Sequence, residues 1–296
     1  MEGEIKIGTI KSMSAQRQAV YLQDSLSTLG IHTTVHRVET DGENLEAPQN
    51  DMNRTYHQME SALLTGKIDI GLLPLSYRPV STNAEVVVAA LSARPISGDW
   101  LLVRKERMTK GKVLSLPEGA HVGISFPHQG IQLLSYRPDL SIMPAADATD
   151  TLIEKLSQGH LDALIVAGDE VEPLLLSTWN DFHVIHLDPE EFIPAPAQGV
   201  WGYFVRPSDT GLRRQLVSLH QPSVADCTNV ERNVVKLMNH NENQPLGVYC
   251  KKDNATNFHV WAIWQPNTST PPTSVRLSSS TSFELAERVA AALQHP

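Results

Sequence analysis

The chain has 296 residues, 24 Lys and Arg against 33 Asp and Glu, a formal charge of −9 and two cysteines. An apolar content of 41% excludes a wholly disordered chain, and the acidic balance excludes a general nucleic-acid or anionic-membrane binder, both of which need basic faces. Cys227 and Cys250 are too few for a disulfide framework or a four-thiolate zinc site.

Glu4-Ile5-Lys6-Ile7-Gly8 alternates and predicts a strand. Val20, Leu22, Leu26 and Leu29 predict a helix that Gly30 stops, and residues 33–38 form the next strand. Met59, Leu63 and Leu64 mark a second helix, ended by Gly66 before a buried strand at 68–73, and EVVVAAL at 85–91 is another apolar strand. This alternation predicts parallel strands joined by helical crossovers. The pattern then repeats, with strands at 100–103 and 121–124 and a helix at about 130–136. A helix at 150–159 carries the apolar face Leu152, Ile153 and Leu156, and a buried strand follows at 161–166. KIDIGLL and HLDALIV are built alike: a helix ending in Gly, one bridging residue, then an Ile/Leu-Asp strand. Two similar α/β domains follow from this, with the cleft between them as the default ligand site.

Beyond Arg206-Pro207 the texture changes. Helices at 210–219 and 229–239, strands at 247–250 and 259–264, a polar loop at 265–274 and a closing helix at 283–293 make a smaller α+β unit. The expected domains are 1–93 with 198–211, then 98–193, then 212–296. Two acidic residues precede the first strand, and no apolar run approaches the roughly 18 residues of a membrane helix, so the expected location is the cytoplasm.

There is no Walker A sequence, GxGxxG, GxSxG, HExxH or CxxC. His32 and His36 share a strand face whereas His183 and His186 split, and neither pair has a carboxylate beside it in sequence, so no metal site is expected. Asp226-Cys227 near His220 reads as a helix start rather than a nucleophile with its base. Two Pro-containing turns are more informative. Leu75-Ser76-Tyr77-Arg78-Pro79 leaves a buried parallel strand, where ligands of open α/β sheets collect. Ser125-Phe126-Pro127-His128-Gln129-Gly130 opens a helix, where backbone N–H groups favour an anion. Both also read as ordinary connections.

In order along the chain, Ile7-Gly8-Thr9 with Ser12 and Gln18, Glu60-Ser61-Ala62-Leu63-Leu64 with Gly66-Lys67-Ile68-Asp69-Ile70, and Tyr136-Arg137-Pro138-Asp139-Leu140 form a framework. It continues through Pro194-Ala195-Pro196-Ala197-Gln198-Gly199, Glu231-Arg232 and Pro245-Leu246-Gly247-Val248-Tyr249. This collinear set resembles hydroxymethylbilane synthase (porphobilinogen deaminase) over essentially the whole length. The resemblance implies two domains like those of type II periplasmic binding proteins plus a small C-terminal domain. It also implies a transferase that joins four porphobilinogens on a cysteine-bound dipyrromethane cofactor, using a catalytic Asp and a cluster of Arg and Lys.

At the positions that resemblance marks as functional, the residue types differ. Tyr77 aligns with the catalytic Asp and Ser76 with a Lys; His128 and Gln129 align with paired arginines; Ile10, Ala146 and Leu152 align with three more; Glu242 aligns with the cofactor cysteine. A missing acid–base group costs about 10²–10⁴ in rate, and each lost Arg–carboxylate bond about 1.5–3 kcal/mol. The expectations are therefore no catalytic residue of the family type, no bound cofactor, and a pseudoenzyme that takes a small anionic ligand or a partner. The candidate ligand positions are Thr9, Ser12, His57, Ser76, Tyr77, Ser125, His128, Gln129, Ala146 and Gln198. A divergent but active transferase and a solute-binding or scaffold module are the alternatives.

Overall fold

A computed structural model of the chain describes residues 4–39, 52–79, 85–145, 147–174, 179–239, 244–267 and 269–295. Two compact units are present, Met1–Pro95 with Val200–Ala225 and Ile96–Gly199 with Asp226–Pro296.

The chain begins with β1 (Ile5–Thr9), α1 (Met13–Thr28), β2 (Thr33–Arg37), α2 (Met52–Leu64), β3 (Ile70–Pro74) and β4 (Val87–Leu91). It continues through β5 (Asp99–Arg104), β6 (His121–Ile124), α3 (Pro127–Tyr136), β7 (Ser141–Pro144), α4 (Thr149–Ser157), β8 (Ala163–Ala167), α5 (Gly168–Val171) and β9 (Phe182–His186). Strand β10 (Trp201–Val205) returns to the first sheet, and α6 (Thr210–Leu216) follows it. The last segment is α7 (Pro222–Leu237), β11 (Leu246–Lys252), β12 (Phe258–Trp264), β13 (Thr273–Ser279) and α8 (Leu285–Gln294).

The first sheet has the order β2-β1-β3-β10-β4 and the second the order β7-β6-β8-β5-β9. They share one plan. In each, three parallel strands are followed by one antiparallel strand, β10 or β5, which pairs antiparallel with the last strand as well. The parallel pairing expected from the strand–helix alternation holds for β1, β2 and β3 and for β6, β7 and β8, and the antiparallel strands β10 and β5 make both sheets mixed. Local apolar patterning does not encode strand direction, because an inner strand buried on both faces reads the same either way. In β5, Leu101, Leu102 and Val103 are all fully buried, each such side chain contributing about 1.5–3 kcal/mol relative to exposure.

The repeat seen in KIDIGLL and HLDALIV has a structural counterpart. Asp69 Oδ2 accepts the Lys6 N–H of β1 at 3.0 Å, and Asp162 Oδ2 accepts the His121 N–H of β6 at 2.9 Å. Each Asp also holds an arginine through Oδ1: Arg206 Nη2 at 2.9 Å and Arg107 Nε at 2.6 Å. Asp before the third strand therefore ties the start of the first strand in both sheets.

The third sheet, β11-β12-β13, is antiparallel throughout. One face packs on α7 and α8 through Val234, Val248, Val260, Ala262 and Val289. Two sequence expectations change here. Helix α7 starts at Pro222 rather than 229, and residues 273–274, read as loop, open strand β13, whose Val275 and Leu277 face the core. A two-residue apolar alternation flanked by Ser is too short to stand out beside the Pro-rich segment preceding it.

Candidate functional site

In the first unit, the chemistry-bearing candidates gather at the carboxyl ends of β1 and β3, which run side by side in parallel. Thr9 ends β1, is 2% exposed, and its Oγ1 makes no hydrogen bond among the described residues. Ser12 is the N-cap of α1, its Oγ accepting the Ala15 N–H at 3.2 Å, which satisfies one of the helix's open donors. Ser76 and Tyr77 lie in a single 3₁₀ turn directly after β3 and are half-buried. His57 sits on α2 with its side chain 64% exposed and Nδ1 3.1 Å from Glu60 Oε2, a surface i,i+3 pair. His220, weighed beside Cys227, spends Nδ1 accepting the Leu91 N–H at 3.2 Å.

The second unit holds Ser125, His128, Gln129 and Gln198, and the structure draws the last three around Asp99, which the sequence patterning did not single out, with Ser125 joined to them through Gln129. The turn after β6 leads into α3, with Phe126 as N-cap and Pro127 in the first turn. Gln129 folds back over this helix start. Its Oε1 accepts the Ser125 N–H at 2.8 Å and the Phe126 N–H at 3.0 Å, the side-chain half of a capping box. Two of the donors that recommended this turn as an anion site, the Ser125 and Phe126 N–H groups, are therefore occupied by the chain's own amide. The other end of Gln129, Nε2, donates to Asp99 Oδ1 at 3.0 Å, and Gln129 is fully buried.

Gln198 reaches the same oxygen from the segment before β10. Its Nε2 donates to Asp99 Oδ1 at 3.1 Å and to Ser97 O at 3.2 Å, while its Oε1 accepts the Ala195 N–H at 3.3 Å. The segment is held from below by α7, where fully buried Glu231 accepts the Ala197 N–H at 2.6 Å and the Cys250 N–H at 2.8 Å. Asp99 Oδ2 makes no hydrogen bond among the described residues, and His128 Nε2 lies 4.0 Å from it. His128 is 3% exposed and its ring stacks on Phe126 at 5.8 Å between centroids. Burial pushes the Asp99 carboxyl up to about 7, opposed by its bonds to Gln198 and Gln129 and reinforced by the charge of Glu170.

Of the remaining positions, Leu152 is core, 1% exposed in α4, and Ile10 is also buried. Ala146 and Glu242 lie outside the described residues. Cys227 falls well inside α7 rather than at a helix start, and both it and Cys250 are buried in the core of the third sheet. Among the described residues no helix is long and apolar enough to cross a membrane.

A family profile described as "Porphobilinogen deaminase, dipyromethane cofactor binding domain" matches residues 5–214. The chain belongs to the porphobilinogen deaminase family. Porphobilinogen deaminase of Helicobacter hepaticus is 28% identical over 256 residues, 85% of this chain and 78% of that protein. The Streptococcus sanguinis porphobilinogen deaminase is 29% identical over 258 residues, 84% and 82% of the two chains. Among solved structures, an ancestral cationic amino acid solute binding protein aligns at 16% identity with a TM-score of 0.46, covering 79% of this chain and 90% of that one. A mutant of the arginine-binding protein from T. maritima aligns at 18% identity and a TM-score of 0.41, covering 73% and 87%.

The profile match corrects the expectation of no cofactor, which rested on Glu242 alone: the region matched is the part of the family described as binding dipyrromethane. Within that region the polar side chains at and after the ends of β1 and β3 of the first unit include Thr9, Lys11, Ser12, Ser76, Tyr77 and Arg78, and Ser125 follows β6 in the second. A thioether does not fit Cys227 or Cys250 as packed here, since both sulfurs belong to the core beneath β11.

Proposed function

We propose that this porphobilinogen deaminase family member does not assemble hydroxymethylbilane at the family's rate, and that it takes a smaller anionic ligand at the loops following β1 and β3. The observation that carries this reading is the orientation of Gln129. It aligns with one of the family's paired arginines, yet its amide caps the helix start and holds Asp99, so it offers a ligand carboxylate no cation and no donor. His128, at the other position of that pair, is buried beside Asp99. Tyr77 at the aligned catalytic position is a phenol, a hydroxyl in place of the carboxylate that the family resemblance implies, so it does not present a carboxylate to a pyrrole cation. Thr9, Ser12 and Ser76 retain hydroxyls suited to a single carboxylate rather than to a polycarboxylated chain.

The test is porphobilinogen consumption by purified protein beside the Helicobacter hepaticus enzyme. The expected rate is lower by at least about 10⁴, the upper end of what one missing acid–base group costs, because several groups differ together. Turnover within about tenfold of the relative would show that other residues supply the chemistry. Thermal-shift screening against mono- and dicarboxylates at pH 6 and 8 addresses the ligand; no stabilisation by any of them removes that half of the reading.

A further inference from the structure

We propose that Asp99 and His128 hold a single proton between them, and that this proton sets the hydrogen bonding of Gln129 and Gln198. The proposal stands on the unit Ile96–Gly199 alone and holds whether or not a ligand binds there.

The geometry is that of a buried acid–base pair with an amide on each flank. Asp99 is fully buried at the start of β5, with β8 on one side, where Ala167 is its register partner, and β9 on the other, where Leu187 N–H reaches its main-chain oxygen at 3.0 Å. Oδ1 takes two amide donors, so its acceptor capacity is filled by neutral groups. Oδ2 faces His128 Nε2 at 4.0 Å. The other titratable groups near the pair are Glu170 of α5, which accepts a hydrogen bond from Thr149 Oγ1 at 3.1 Å, and His186 of β9, whose ring stacks on Trp100 at 4.1 Å. Glu170 is a second carboxyl, its own pKa pushed up by burial, and its coulombic influence raises that of Asp99; no Lys or Arg is hydrogen-bonded to Asp99 among the described residues. A bare carboxylate is therefore costly here. With one proton the pair is neutral overall: the proton sits on Oδ2 and points to Nε2, or sits on Nε2 and points to Oδ2, and the 4.0 Å separation closes to hydrogen-bond length. Loss of that proton leaves an unpaired buried anion whose demand for donors falls on Gln129 and Gln198.

Those two amides carry the consequence outward. Gln129 fixes the Ser125 and Phe126 N–H groups, and Gln198 fixes Ser97 and the segment that ends at Gly199. Residues 96–97 and 198–199 are where the chain enters and leaves this part of the unit, and the position a Gly199 Cβ would take lies only 1.9 Å from Ile96 O. One proton thus touches both the turn after β6 and the two adjoining crossover segments.

A group whose folded-state pKa is raised from its ordinary value to about 7 binds a proton in the folded chain that the unfolded chain has released. Its contribution is full below the unfolded value and falls as pH rises toward 7. Asp99→Asn keeps the acceptor for the two glutamines and presents N–H₂ to His128, the protonated state made permanent. The expected result is that the folding constant of the variant, relative to wild type, grows about 100-fold from pH 5 to pH 8. A ratio constant with pH overturns the proposal. If the variant does not fold, carbon-detected NMR of wild-type Asp99 decides: the carboxyl is expected to titrate near neutrality, with the Gln129 and Gln198 side-chain amides moving at the same midpoint. An Asp99 midpoint below about 5, or amides that do not follow it, overturns the proposal.

Discussion

Replacing Glu231 by Ala tests the idea that one buried carboxylate joins α7, the 194–199 segment and β11. Its two oxygens accept the Ala197 and Cys250 N–H groups at 2.6 and 2.8 Å, and the residue is fully buried. Alanine strands both donors away from water. At about 1–3 kcal/mol for each orphaned group, plus about 1 kcal/mol for the lost stem contacts, the expected destabilisation is about 3–7 kcal/mol. The Glu231→Gln variant retains one acceptor but turns an N–H₂ toward a backbone N–H, so a loss of about 2–3 kcal/mol is expected from it. Ala197 adds to the effect because its φ of +62° is held against the preference of a non-glycine residue, and its tether weakens in both variants. Urea unfolding followed by circular dichroism gives the global figure, and hydrogen exchange at the Ala197 and Cys250 amides reads the site itself. Exchange at both amides is expected to rise by at least about 100-fold in the alanine variant. A loss below about 1 kcal/mol with unchanged exchange would refute the reasoning, since the two donors would then have found other acceptors.

Gly199→Ala places a Cβ 1.9 Å from Ile96 O at a φ of +78°, so the crossover segments must part, and a loss of about 3 kcal/mol or more in thermal or urea unfolding is expected. Gln129→Ala and Gln198→Ala each remove a bond that lowers the Asp99 pKa, so its NMR midpoint moves up from about 7 in either variant; a downward shift would contradict the assigned causes. Arg137 donates to the Val113, Leu116 and Pro117 carbonyls and holds the exposed Asp139 carboxyl far below the ordinary carboxylate range, chiefly through their hydrogen bond. That contribution is present above the ordinary range and lost as pH falls through the depressed value, so Arg137→Ala should return the Asp139 titration toward its usual position and speed proteolysis at 113–117.

Periodicity along the chain was enough for most elements, because the faces that pack a helix or an inner strand recur every three to four residues or every two. The paired Gly-bridge-Asp segments carried more. They identified two similar sheets, and Asp69 and Asp162 do the same work in each. The altered residue types at positions 77, 128, 129 and 242 were also legible, since they depend only on a collinear framework.

The parallel direction of the strands joined by helices was legible, but that of β5 and β10 was not. Strands β5 and β10 are placed antiparallel by where the chain crosses, and their own side chains, buried on both faces, are indifferent to direction. Nor was the role of Gln129: from sequence it opens a helix and faces a ligand, and only the folded chain shows its amide turned inward. Asp99 was invisible for the same reason. In Gly98-Asp99-Trp100 it reads as an ordinary polar residue before an apolar strand. Its partners come from positions 128, 129 and 198, and a carboxylate acquires an unusual proton affinity only when such distant segments close over it and exclude water. The chain's own pattern thus determined which elements form and which residue types stand at the positions the family resemblance marks, while the tertiary structure decided which polar groups meet in the dry interior.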